Sequence, residues 1–298
     1  MAFLDQNLLI GYPVAAAVGL VVGSFINVVI LRLPPRLEWR WKQDARDVLE
    51  LPELYDPPPP GIAVEPSHCP HCKARLHWFE NIPLLSWLAL RGRCRHCGAA
   101  ISMQYPLVEL LTMLLTLACA WRFGFGWQGF GACLFTWFLV AASGVDARTR
   151  LLPDALTLPL LWLGLIAAHE RLFVDARDAL AGAMVGYAAL WSINWLYRQY
   201  QVIVRRVARP LDGIAPGDHK LLAAIGAWCG LDGILPSIFL SSLVGAVVGT
   251  LWLRLQRKDR QTPLPFGPYL AAAGWITFMW GEALVDAYLR FSGLADGR

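Results

Sequence analysis

The chain is predicted to be an all-α polytopic membrane protein with about eight transmembrane helices, from its composition, its apolar runs and its charge distribution. Its 298 residues are 56% hydrophobic and 16% charged, with 14 Trp. A soluble domain carries about 45–50% apolar and about 25% charged residues. The apolar excess is gathered into runs of about 20 residues, the length that crosses a bilayer's hydrocarbon core. Eight such segments are drawn: Leu8–Leu31, Pro106–Trp121, Trp127–Val145, Ala155–Ala168, Ala179–Tyr197, Leu221–Leu231, Ile234–Leu253 and Tyr269–Tyr288. The fourth and sixth are short, which implies tilt, partial re-entry or extension by their flanks. The first lacks a basic n-region and is too long for a signal-peptide h-region, so no cleavable signal peptide is expected.

Charge orients these segments. Lys and Arg accumulate in cytoplasmic loops. The loops at 32–105, 146–153, 198–220 and 254–268 carry 10, 2, 5 and 4 of them, or 21 against 5 on the opposite side. Without the longest loop the ratio is still 11 to 5. The long loop, Asp146 and Asp218 are therefore expected on the cytoplasmic side. The net charge of +4 is then an orientation signal with some attraction to membrane lipid, and no nucleic-acid partner is implied. Arg205, Arg206, Arg209, Arg254, Arg257, Lys258 and Arg260 read this way.

The expected division is a first transmembrane helix at 1–33, a cytoplasmic tetracysteine zinc domain at 34–105 and a transmembrane domain at 106–298. Pro34-Pro35 and Pro57-Pro58-Pro59-Pro60-Gly61 are expected to break any helix and to mark the insert as soluble. Within it stand Cys69-Pro70-His71-Cys72 and Cys94-Arg95-His96-Cys97, with 21 residues between the knuckles. Each C-x-x-C turn offers two thiolates to a tetrahedral ion. The separation lies just outside the usual zinc-ribbon window of about 15–20 residues. On the cytoplasmic side disulfides are disfavoured, so Cys69, Cys72, Cys94 and Cys97 are read as ligands of a structural Zn2+. Four thiolates leave no open position for a catalytic water. His68, His71, His77 and His96 crowd the site, as a substitute ligand or as bystanders. Cys119, Cys133 and Cys229 stand singly in apolar helices and read as packing residues.

Three further stretches carry alternatives. Trp78-Phe79-Glu80-Asn81-Ile82-Pro83-Leu84-Leu85-Ser86-Trp87 suits either a surface against the membrane interface or the core of a small zinc domain. Gly23-Ser24-Phe25-Ile26-Asn27 suits either close helix packing or a substrate groove. Asp218, at the mouth of the sixth segment, is either a helix-capping residue or a functional carboxylate, the default for an ionisable group at a membrane boundary. Asp146, at the end of the third segment, shares its depth, which a catalytic pair requires.

With these residues in view, the chain resembles the type IV prepilin peptidases, polytopic bacterial aspartic proteases. The resemblance covers nearly the whole chain. It rests on Gly23–Ile30, both cysteine knuckles, Glu80-Asn81-Ile82-Pro83, Tyr105–Leu110, Leu151-Leu152-Pro153-Asp154, Gly217-Asp218-His219-Lys220-Leu221 and Pro265-Phe266-Gly267-Pro268. The family's G-x-G-D motif reads Ala215-Pro216-Gly217-Asp218 here. Ala215 stands for the first glycine and narrows the allowed backbone, and Pro216 fixes φ.

The resemblance implies that Asp146 and Asp218 are the catalytic pair, sharing a proton because two close carboxylates do not both ionise cheaply. One activates water while the other polarises the scissile carbonyl. Gly217 is expected to let the backbone turn beside Asp218, and Glu109 is a candidate helper. Also implied are prepilin and pseudopilin substrates, the inner membrane, and N-methylation of the new N-terminus with S-adenosylmethionine as methyl donor, an activity associated with the cysteine insert. The alternatives are a zinc-dependent peptidase, or a zinc-ribbon membrane scaffold for pilus or secretion machinery.

Overall fold

The computed structural model describes residues 4, 7–52, 56–63, 65–207, 210–255 and 265–291, with backbone alone over 252–255. Arg209, Arg257, Lys258, Arg260, Pro263, Leu264 and Arg298, and the side chain of Arg254, lie outside that description. The helices are α1 Leu8–Val48, a 3-10 turn at Trp78–Asn81, α2 Leu85–Ala89, α3 Gln104–Phe123, α4 Trp127–Thr149, α5 Asp154–His169, α6 Ala176–Ile203, α7 Pro216–Cys229, α8 Ile234–Leu255 and α9 Gly267–Phe291. Among the described residues the only strand-like pairings are the isolated bridges His68–Arg75 and Arg93–Ala100.

Each apolar run lies within one of the eight long helices, except that the sixth overruns the end of its helix by two residues, and the first helix continues well past its run. By length and composition α1, α3, α4, α6 and α8 are long and apolar enough to cross a membrane, while α5 is apolar but shorter. The chain is an all-α polytopic membrane protein. It forms two compact units, Met1–Gly129 and Phe130–Arg298.

In the first unit α1 lies along α3. A Cβ on Gly19 would stand 2.7 Å from the Met113 Cα, and one on Gly23 2.8 Å from the Glu109 Cα. Small residues here let two backbones approach, which is the packing reading of Gly23–Asn27. Asn27 adds a tie by donating to the Tyr105 carbonyl at 3.1 Å.

The prolines do not end α1. The helix continues through Pro34 and Pro35 to Val48, 41 residues in all, contrary to the break their chemistry predicts. Tertiary hydrogen bonds compensate, because the Pro-rich segment is strapped along the polar half of the helix. Arg32 Nη1 donates to the Gly61 and Glu65 carbonyls at 2.8 and 2.9 Å. Trp39 Nε1 reaches the Asp56 carbonyl at 3.1 Å, and Arg46 Nε the Pro52 carbonyl at 2.7 Å.

The second unit is built around α7. Every residue from Leu221 to Trp228 is buried, as an all-round apolar helix requires. It packs against α5, α6 and α9. Gly182 and Gly226 bring the α6 and α7 backbones into contact, and Gly186 sits on the Leu222 carbonyl. At the far end Trp228 Nε1 donates to the Leu160 carbonyl at 2.9 Å. Its ring packs with those of Phe135, Phe173 and Phe278. With 14 residues α7 is only about 21 Å long, less than the roughly 30 Å hydrocarbon core.

Candidate functional site

Asp146 lies in the last turn of α4, and Asp218 is the third residue of α7. Their side chains are 5% and 4% exposed, and the two carboxylates interact electrostatically. Among the described residues neither forms a salt bridge. Arg150 is the nearby positive charge that acts on Asp146. Burying unpaired carboxylates is costly, so the fold maintains this pair against its own stability.

Three backbone features hold the pair. Ala215 is the N-cap of α7, with φ −68° and ψ 144°, an extended conformation open to any residue. Pro216 takes the first helical position, where the missing N–H has no partner to lose. The departure at Ala215 therefore introduces no strain. Gly217 is needed for proximity and not for turning: a Cβ there would stand 2.6 Å from the Leu152 Cβ and 2.8 Å from its carbonyl oxygen. Gly267, the first residue of α9, donates its N–H to Asp146 Oδ2 at 3.0 Å. The N-terminus of a helix favours a carboxylate there. Leu152 touches both positions, since a Cβ on Gly267 would meet Leu152 Cδ1 at 3.1 Å.

Asp218 stands in the first turn of α7 and accepts the backbone N–H of the N-cap residue Ala215, so the capping reading and the electrostatic interaction with Asp146 hold together. Lys220 Nζ bonds Asp154 Oδ1 at 2.6 Å, pinning the Leu151–Asp154 turn to α7. The chain leading into α7 is strapped to α6. Asn194 Oδ1 accepts from the Gly213 and Ile214 N–H groups at 2.9 and 3.3 Å, and its Nδ2 donates to Asp212 at 3.0 Å. Gln201 and Leu211 exchange two further bonds. In the sequence the Leu-Leu-Pro-Asp and Pro-Phe-Gly-Pro motifs are matches without roles. Asn194 and Gln201 carry no sequence signal beyond being polar in an apolar helix.

In the other unit, Cys69, Cys72, Cys94 and Cys97 bring their sulfur atoms within 4.8 Å of one another, with no His in the group. The Cys69–Cys97 separation is 3.8 Å, which matches the roughly 3.8 Å edge of a tetrahedron with about 2.3 Å Zn–S bonds. Two similar turns build the cluster. Cys69 N–H donates to the Ala74 carbonyl and Cys94 N–H to that of Ala99, with Lys73 and Gly98 at φ +58° and +69°. The backbone N–H of Cys72 first, against burial and aided by that of His71 and the neighbouring thiols, brings the Cys69 thiol down to about 6. All four residues fit a Zn2+ ion as thiolates. Between the knuckles, Trp87 packs on Gly92, as the core reading of this stretch expects, whereas Trp78 is 79% exposed.

Glu109 is 6% exposed. It accepts the Leu84 N–H at 2.8 Å and the Ser24 hydroxyl, holding Leu84 at φ +58°.

Two family models match the chain. The Bacterial Peptidase A24 N-terminal domain covers residues 17–123, and the Type IV leader peptidase family covers 133–250. A prepilin leader peptidase/N-methyltransferase of Xanthomonas campestris is 60% identical over 99% of this chain and 100% of the relative. Proteins of the same description from Stutzerimonas stutzeri and Pseudomonas aeruginosa are each 49% identical, covering 98% and 92% of both chains. No solved structure matches. With relatives aligned from end to end and both family models in register with the two units, the chain belongs to the type IV leader peptidase family.

Proposed function

We propose that the chain is an integral-membrane aspartic endopeptidase that removes the leader of type IV prepilins and pseudopilins and then methylates the new N-terminus. The observation that carries the peptidase reading is the buried pair Asp146 and Asp218, with no salt bridge to either among the described residues. One carboxylate takes a proton from water while the other, protonated, donates a hydrogen bond to the scissile carbonyl. The hydroxyl oxygen adds to the carbonyl carbon. Collapse of the tetrahedral intermediate breaks the C–N bond as a proton passes to the leaving nitrogen. The Gly267 N–H fixes the orientation of Asp146, and the shortness of α7 lets the site lie below the membrane surface.

The charge bias supports a cytoplasmic position for the aspartates and the zinc module in the bacterial inner membrane. The four thiolates would hold Zn2+ in a closed, structural site. The name borne by the relatives includes N-methyltransferase, which supports S-adenosylmethionine as methyl donor.

Intact mass of a purified prepilin tests both activities together. Incubation with the protein is expected to remove the leader, and to add one methyl only when S-adenosylmethionine is present. Asp146→Asn and Asp218→Asn are each expected to abolish leader removal while the protein still accumulates in membranes. Normal cleavage by either variant would refute the pair, and an unchanged prepilin mass with the intact protein would favour a scaffold.

A further inference from the structure

His219 follows Asp218 in the first turn of α7. Its side chain is 3% exposed, and among the described residues its Nε2 has no hydrogen-bond partner. Tyr187 of α6 meets the imidazole edge-on, with ring centroids 5.8 Å apart and planes at 80°. An aromatic edge satisfies no ring nitrogen. Among the described residues Ser237 Oγ, Thr277 Oγ1 and Glu80 Oε1 are also buried without partners, but of these four only His219 is adjacent in sequence to an aspartate of the pair. A buried polar atom left unpaired calls for an explanation.

Peptide hydrolysis supplies one. A peptide must be unwound where it is cut, and the N–H and C=O groups it frees in a buried site need partners from the protein. Consecutive helical residues project about 100° apart, so Asp218 and His219 serve different sides of the same turn. Gly217 and Asp218 face the Leu152 turn and Asp146, while the His219 ring faces α6 at Tyr187. Neutral imidazole Nε2 donates or accepts according to tautomer.

We infer that His219 is a substrate-binding residue whose Nε2 hydrogen-bonds the main chain of the unwound substrate segment on the α6 side of the turn that carries Asp218. The inference rests on the peptidase reading above. It makes a prediction that a packing role does not: the imidazole is retained at a cost to the resting protein.

His219→Phe and His219→Gln variants in detergent test it by thermal unfolding and by cleavage kinetics on purified prepilin. His219→Phe fills the same space without an orphan nitrogen. It is expected to keep or raise Tm, to raise KM about tenfold, the size of one net hydrogen bond, and to leave kcat within about twofold. His219→Gln, which returns a polar atom, is expected to recover most of the KM. An unchanged KM in His219→Phe, or a fall in Tm and kcat with no recovery by His219→Gln, would overturn the inference. A binding measurement in the Asp146→Asn background separates the two readings. Uncleaved prepilin should bind about tenfold more weakly once His219→Phe is added, and equal binding would reject the role of His219. Cleavage by Asp146→Asn alone would instead count against the peptidase reading itself.

Discussion

Gly217→Ala is a direct test of how the aspartate pair is held. The added Cβ would lie 2.6 Å from the Leu152 Cβ, 2.8 Å from its carbonyl oxygen and 3.3 Å from its Cα. Ordinary carbon contacts sit near 3.5–4.0 Å, so one side must retreat by about 1 Å. Two of the three obstructing atoms are backbone, and no flexible side-chain tip is available to yield. Such overpacking costs about 1–3 kcal/mol. The displacement would not stay local, since Leu152 also packs on Gly267, whose N–H holds Asp146, and Lys220–Asp154 ties the same turn to α7. A misplacement of about 1 Å costs roughly 100-fold in rate. Initial rates of leader removal, measured at equal protein in membranes, are expected to fall by about that factor while the protein still accumulates. Ala215→Gly is the matching control: at φ −68° a glycine relieves nothing, and the rate is expected to stay within about twofold. Near-normal rates for Gly217→Ala, or a large gain for Ala215→Gly, would refute this account of the turn.

Asn194→Ala removes the acceptor of the Gly213 and Ile214 N–H groups. It should cost about 1–3 kcal/mol of stability and lower kcat as the lead into α7 loosens, measured by thermal unfolding and cleavage; an unchanged kcat would show that the strap does not position Asp218. The purified protein should hold one zinc per chain by elemental analysis, lost in Cys69→Ser, with cleavage of residues 66–101 by added protease increasing as a chelator strips the metal. The Cys69 thiol sits near 6, below its usual 9.0. A lowered folded-state value stabilises the knuckle fully above the unfolded 9.0 and loses that contribution as pH falls from 9.0 to about 6, so protease sensitivity of the metal-free module should rise across that range. Glu109→Ala leaves the Leu84 N–H without its acceptor and should destabilise the first unit by about 1–3 kcal/mol, read by limited proteolysis; unchanged sensitivity would show that Glu109 does not hold that turn.

Periodic apolar runs, loop charge and cysteine spacing are properties of the chain itself, so the helices, the insert and the four clustered cysteines are legible in the sequence alone. Hydrophobic length sets the apolar part of each helix regardless of its neighbours, and two C-x-x-C turns each bring their own thiols together. Asp146 and Asp218 are legible as residues, through their motifs and shared depth. How they are held is not, because it depends on contacts between positions far apart in sequence. Proline chemistry predicts a break at Pro34-Pro35, yet Arg32 and Arg46 hold α1 together from its flanking segment. Local backbone rules predict that Gly217 serves a turn and that Ala215 weakens it. Tertiary packing reverses both, since Leu152 leaves no room for a Cβ at 217 while residue 215 is ordinary extended chain. The chain alone thus specifies which carboxylates and thiols are present and roughly where. Only the packing of α4, α7, α9 and the Leu152 turn decides how the carboxylates meet, because close approach is set by side chains that sequence neighbours do not encode.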